Sequence, residues 1–282
     1  MIKSIVVDLD GSTASLAALT EAVKWAELLN AELRAVFVED EQRFMYYPVG
    51  TAVEDEVPVP VLLPDDEAAG IKATVDQEAD SIRAEFDRLT AGKTFPSSYS
   101  QIRGSVNEIL TEEARAADLT VIGRRGRDSG AGTEPGPTTE TLIHDALRPV
   151  LVVPEAPHTE GETVFAYDGS KGVQRVMVPG TELAHARGGD VVAITIGDDA
   201  AYAAQLDRVL TRYWQPYDVN GRCEFVEEKG KIVDIIATYT SDNKAGLLVM
   251  GAFGHNPIRE LLFGSTTLDV LAKVSCPVLL MA

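Results

Sequence analysis

Two glycine-rich junctions carry the residue types best suited to holding an anion. Near the C-terminal end, Gly251-Ala-Phe-Gly254 is followed after nine residues by Gly264-Ser265-Thr266-Thr267. The apolar run Leu247-Leu-Val-Met250 in front of them reads as a buried parallel strand, so the glycines stand at a strand's carboxyl end. Glycines there let the backbone approach a ligand closely. From Gly264 the pattern turns helical, with Leu268, Leu271 and Ala272 on one face, so the hydroxyls of Ser265 and Thr266 fall in a first turn. Free N–H groups and the positive end of the helix dipole coincide at such a turn, and phosphate is the anion it suits.

The same arrangement occurs earlier in the chain. Leu119-Thr-Val-Ile-Gly123-Arg-Arg-Gly126, nine residues, Gly136-Pro137-Thr138-Thr139 and Pro149-Val-Leu-Val-Val153 repeat the tail with identical glycine spacing. The opening Ile5-Val-Val-Asp-Leu-Asp10-Gly11-Ser12 is likewise echoed by Thr163-Val-Phe-Ala-Tyr-Asp168-Gly169-Ser170. The chain is therefore two copies of one unit. In the first copy Pro137 stands where the second has Ser265, which removes both an N–H and a hydroxyl from the cradle. That weakens the first site relative to the second, although Thr138, Thr139, Arg124 and Arg125 are available to compensate.

Positioning these junctions requires an alternation of strands and helices, the pattern of a parallel sheet covered on both faces. The strands of the first unit are expected at 2–8, 32–38, 97–103, 118–123 and 149–153. Those of the second are expected at 162–167, 190–196, 222–228, 246–251 and 277–281. In an α/β sheet ligands sit beyond the strands' carboxyl ends, at the switch in strand order. With the first and fourth strands adjacent, Asp168 and Gly251 face one crevice, where the acid accepts from a ribose hydroxyl or a base amine.

On these residues the whole chain resembles a tandem universal stress protein. That family's nucleotide signature is Gly, two residues, Gly, nine residues, Gly and then Ser or Thr, with an Asp closing the first strand. The second unit matches it at Asp168, Gly251, Gly254, Gly264 and Ser265; the first matches at Asp10, Gly123, Gly126 and Gly136 and departs at Pro137. The resemblance implies two tandem open five-stranded parallel sheets of strand order 3-2-1-4-5 with helices on both faces. It also implies ATP, with or without magnesium, bound between the first and fourth strands, and domains that pair. Ile196 would meet the base through its backbone and Thr266 and Thr267 would lie near the phosphates, with Val38 and Thr138 the counterparts at the weaker site.

The domains expected are 1–154, a linker at 155–161 and 162–282, with an acidic, proline-rich insertion over 39–70 in the first. A net charge of −19 argues against nucleic acid or an anionic membrane as partner. The N-terminal apolar run breaks at Asp8, unlike a signal peptide, and no apolar stretch reaches the roughly 18 residues of a membrane span, so a cytoplasmic protein is expected. Cys223 and Cys276 match no metal spacing.

These features favour an ATP-binding stress-response module, acting on a protein partner still to be found and open to homodimer formation. Slow ATP hydrolysis or nucleotide transfer is the enzymatic alternative; a scaffold that binds nothing is another. No catalytic base or metal cluster is evident. A rival is the haloacid-dehalogenase type of phosphatase, in which Asp8 would attack phosphorus and Asp10 would move the proton. Against it, Asp8 corresponds to Ala166 in the repeat, and Asp199, the mimic of that family's magnesium ligand, lies in the other unit.

Overall fold

The structure is a computed structural model, and it describes residues 1–46, 60–127, 129–130, 132–145, 147–252 and 265–281. The first unit runs β1 (Ser4–Asp8), α1 (Thr13–Leu29), β2 (Glu32–Asp40), a 3-10 turn (Glu41–Phe44), the short pair β3 (Met45–Tyr46) and β4 (Val61–Leu62), α2 (Asp65–Thr90), β5 (Ser97–Gly104), α3 (Val106–Arg115), β6 (Leu119–Gly123), α4 (Pro137–Asp145) and β7 (Val150–Val153). The second runs β8 (Thr163–Ala166), α5 (Lys171–Arg187), β9 (Val191–Gly197), α6 (Ala200–Trp214), a 3-10 turn (Gln215–Tyr217), β10 (Gly221–Glu227), α7 (Ile232–Asp242), β11 (Leu247–Gly251), α8 (Ser265–Lys273) and β12 (Val278–Met281).

Within each unit the order is 3-2-1-4-5, as β5-β2-β1-β6-β7 and β10-β9-β8-β11-β12. The expectation of two separate five-stranded sheets is corrected. The last strands of the units pair antiparallel, with Leu151 opposite Leu279, and the whole is a single ten-stranded sheet. The physical reason is that each unit ends on a short, wholly apolar strand whose unpaired N–H and C=O groups would be exposed at a sheet edge. Pairing the two edges satisfies both.

Alternation along each strand splits the core into two layers. Ile5, Val7, Leu9, Leu247 and Val249 face the layer of α1, α2, α5 and α6. Val6, Ile122, Leu248 and Met250 face α3, α4, α7 and α8. Each layer contains residues of both units, so the core is continuous across the seam. Further ties cross it: the Glu182 carboxylate of α5 accepts from the Ile2 N–H at 2.6 Å and pairs with the Met1 amine at 3.2 Å.

The 39–70 excursion is shorter than expected at both ends. Glu39 and Asp40 are still in β2, paired with Arg103 and Gly104 of β5, and 65–70 already form the first turns of α2. Asp65, Asp66 and Glu67 sit at that helix start, where carboxylates interact favourably with the free N–H groups. Glu39 is buried and is held by Lys72 Nζ at 3.2 Å and by the Gln101 amide. Residues 47–59 lie outside the described set.

The seam gives a direct test. Leu279 is fully buried on it, and Leu279→Ala is expected to lower stability by about 2–5 kcal/mol. Urea unfolding should show a lower midpoint in one transition that carries both units.

Candidate functional site

Both Asp-Gly-Ser turns are built alike. Asp10 Oδ1 accepts the Ser12 N–H at 2.9 Å, and Ser12 Oγ accepts the Ser15 N–H at 3.1 Å, capping α1. Asp168 Oδ1 accepts the Ser170 N–H at 2.9 Å, and Ser170 Oγ accepts the Val173 N–H at 3.2 Å, capping α5. Gly11 and Gly169 between them have φ of +76° and +73°, which favours glycine. The turns thus point a carboxylate off the carboxyl end of the central strand of each unit.

The fourth strands lie where the repeat requires. β6 pairs with β1 and β11 with β8, so Gly123 stands beside the end of β1 and Gly251 beside the end of β8. Their role here is packing. A Cβ at Gly123 would come within 2.7 Å of the Ala14 carbonyl carbon and 2.8 Å of the Ser15 nitrogen. One at Gly251 would come within 2.7 Å of the Val173 nitrogen. These glycines let the strand end press against the first turn of α1 or α5.

In the first unit a cavity of about 380 Å³ opens at this place. It is lined by Asp8, Asp10, Val38, Gly123, Gly126, Gly136 and Thr138, among others, so the structure brings all six residues of the weaker sequence site together. Its anion-binding groups are already engaged. The Gly126 N–H donates to Ser129 Oγ at 3.2 Å, the Arg127 N–H to Asp10 Oδ2 at 2.7 Å and the Gly136 N–H to the Arg124 carbonyl at 2.9 Å. A Cβ at Gly136 would fall 2.6 Å from Ser129 Oγ, and one at Gly126 would fall 2.9 Å from Asp10 Oδ2. The loop is closed around its own side chains.

The arginines do not compensate for Pro137. The Arg124 guanidinium leaves the cavity and donates to the Leu271 and Val274 carbonyls of the second unit at 3.0 and 3.3 Å, and it pairs with Glu155. Arg125 folds back onto the carbonyls of Ser129, Gly130 and Glu134. Arg127 pairs with Glu78 of α2, as does Arg43, at 2.8 Å. Among the remaining hydroxyls, Thr139 Oγ1 donates to the Gly123 carbonyl at 3.0 Å.

In the second unit Asp168 is exposed, Ile196 is the half-buried penultimate residue of β9, and α8 opens at Ser265. Thr266 is exposed. Thr267 is buried and its hydroxyl donates to the Ala252 carbonyl, so it pins the helix to the strand end. Gly254 and Gly264 lie outside the described residues. Tyr202, at the start of α6, was not legible as a site residue; its hydroxyl donates to the Asp168 carbonyl at 3.3 Å. Beside Gly169 and Leu206 its hydroxyl takes the place that the Arg127 guanidinium takes beside Gly11 and Ile82. Detecting it would have required aligning helices that share no motif.

Comparison with known proteins matches the universal stress protein family model twice, over 1–154 and over 162–281. The chain belongs to the universal stress protein family. A universal stress protein of Synechocystis is 34% identical over 169 residues, 57% of this chain and 57% of its own length. The chain thus spans little more than half of that curated relative. A universal stress protein of Archaeoglobus fulgidus shares the fold over 99% of this chain and 95% of its own, with a TM-score of 0.70 at 16% identity. A shorter one from the same species, solved in complex with dAMP, matches 43% of this chain and 97% of its own with a TM-score of 0.36 at 22% identity.

This universal stress protein differs between its units at Asp8. The residue lies at the end of β1 opposite Val36, where the second unit has Ala166 opposite Ile194. Burial, reinforced by the Asp10 carboxylate, pushes its carboxyl up from 3.8 to about 8. Asp199 is the N-cap of α6, accepting the Ala201 and Tyr202 N–H groups at 2.9 and 3.0 Å, so it performs a structural task in the other unit. Among the described residues no group of three or more His, Cys, Asp or Glu side chains could hold a metal. No helix among them is long and apolar enough to cross a membrane.

Two outcomes test this picture. Gly123→Ala should destabilise the ligand-free protein by about 1–3 kcal/mol through overpacking, read from its urea midpoint; a glycine kept only for a ligand would leave that midpoint unchanged. For Asp8, the raised folded value means the native state keeps a proton that the unfolded chain loses above 3.8. Its contribution to stability therefore declines as pH climbs towards about 8 and is level beyond. Asp8→Asn should remove that decline, so its stability relative to wild type rises across the same interval.

Proposed function

We propose that this universal stress protein is a nucleotide-dependent regulatory module of the stress response, holding ATP in its second unit. The observation that carries the reading is the contrast between the units. Each sets an Asp at the end of its first strand beside the glycine that ends its fourth. In the first unit, Asp10 Oδ2 is bound to the loop and Pro137 opens the helix; in the second, Asp168 is exposed and the helix opens at Ser265. Asp168 would take the ribose, the backbone at Ile196 the base, and Gly251, Gly254, Gly264, Ser265 and Thr266 the phosphate end. A helix start, whose first N–H groups have no partner within the helix, suits that charge.

Magnesium, where required, would arrive with the phosphates, since the described residues hold no cluster for it. Binding without an activated base fits a sensor better than rapid turnover; slow hydrolysis remains the second activity to measure. The partner is a protein read through nucleotide occupancy, in the cytoplasm, by a monomer or a homodimer.

Calorimetry with ATP, with and without magnesium, should give a single nucleotide per chain. Gly264→Asp combined with Ser265→Asp should abolish it, and Asp10→Ala should leave it intact. Absence of binding by wild type would leave only a scaffold. Steady phosphate release well above that of the double variant would make the protein an enzyme.

A further inference from the structure

The first unit's cavity has the size of a small-molecule site, at about 380 Å³, but the donors with which it would hold a phosphate are already engaged. Its cations are spoken for: Arg43 and Arg127 pair with Glu78, and Arg125 is bound to three loop carbonyls. Its loop N–H groups at Gly126, Arg127 and Gly136 have acceptors, and Pro137 has none to offer. Acceptors, by contrast, remain. Asp8, Asp10, Asp40 and Glu78 all line the space. Asp10 is bound to the Ser12 and Arg127 N–H groups, and Asp40 Oδ1 to the Gln42 N–H at 2.9 Å.

Asp8 is the group without such compensation. The charges that act on it come down to Asp10, of its own sign, and its favourable contact is with the Leu9 N–H. It stands on the same sheet face as Val6, beside the apolar side chains of Val38, Val106 and Ile122 that wall the cavity. The second unit manages with Ala166 at this position, so the fold does not need a carboxyl there. Ionising one beside another acid in a low-dielectric pocket is costly, so it keeps its proton up to about 8 unless a counter-charge joins it. Two neighbouring carboxyls also fall short of a metal cluster, consistent with the absence of any such group among the described residues.

We infer that this cavity receives a small organic cation, an amidinium or guanidinium carried on a short apolar body, anchored by the Asp8 carboxylate with its body against Val38, Val106 and Ile122. The planar pair of N–H donors in such a group matches the two oxygens of a carboxylate. Asp10, Asp40 and Glu78 lie around the cavity, Glu78 paired with Arg43 and Arg127 and Arg125 bound to loop carbonyls. With Asp8 ionised, the four carboxylates that line the cavity outnumber its three guanidiniums by one, and a bound cation balances that charge.

The test uses the full chain with benzamidine as probe, benzamide as its neutral counterpart and agmatine as a flexible guanidinium. Calorimetry should show benzamidine and agmatine binding and benzamide failing to bind. Because the bound cation selects ionised Asp8, affinity should rise about tenfold per pH unit below about 8 and level above it, with a proton released on binding. Asp8→Ala and Asp8→Asn, both of which relieve a crowded acid and so should fold, are expected to weaken the cations at least tenfold. ATP binding ascribed to the second unit should be unchanged in both, which separates this inference from the nucleotide reading. Failure of both cations to bind wild type at pH 9, binding equal to that of benzamide, or affinity that survives both substitutions would overturn it. So would ATP binding that is lost on Gly136→Asp but retained in the Gly264→Asp, Ser265→Asp double variant.

Discussion

The antiparallel pairing of β7 with β12 is the contact on which the rest of the molecule depends. Each unit would otherwise end in a short apolar strand with an open row of backbone donors and acceptors, an invitation to pair with whatever strand came near. Joining the two removes both edges at once and lets the helical layers close over a common core. The outer edges that remain, β5 and β10, are more polar and half-exposed, as suits strands that meet water.

Duplication supplied two copies of one backbone, and in the first copy the hydrogen-bond capacity of the glycine loop is taken up from within. The strand order, the Asp-Gly-Ser turn, and the glycine pressed against a helix start are the same in both. In the first copy Ser129 and Asp10 take up the loop's N–H groups, and proline opens the helix. A site can thus keep its shape while its donors are engaged, because shape is set by glycines that pack and anion binding by donors left unpaired. Asp8 adds a carboxyl where the second copy has Ala166.

Much of this was readable in the sequence. All ten strands of the main sheet lie within two residues of expectation: the eight inner ones are largely apolar runs, and the two edge strands, β5 and β10, follow from the strand-helix alternation of the repeat. The six residues proposed for the weaker site do line one cavity, since spacing along a strand-turn-helix junction fixes their geometry. What could not be read were the contacts made across long distances. The merging of two sheets depends on two edges meeting. The diversion of Arg124 depends on where that meeting places α8, and the plugging role of Ser129 depends on a loop conformation with no pattern of its own. The acidic stretch at 65–70 looked like excursion because its acids disguise a helix start that they in fact favour.

The reversal of direction at the seam has a consequence for how the molecule is approached. Within each unit all strands are parallel, and across β7 and β12 they run opposite ways. The carboxyl ends of the two strand sets therefore open on opposite rims of the sheet, and the first unit's cavity lies on the rim opposite the ends of β8 and β11. Arg124 records the same geometry: from the upper rim of one unit it reaches the trailing carbonyls of α8, at the floor of the other. A molecule seated on one rim therefore meets the strand ends of one unit only, and one that touches both must reach along the full length of the strands.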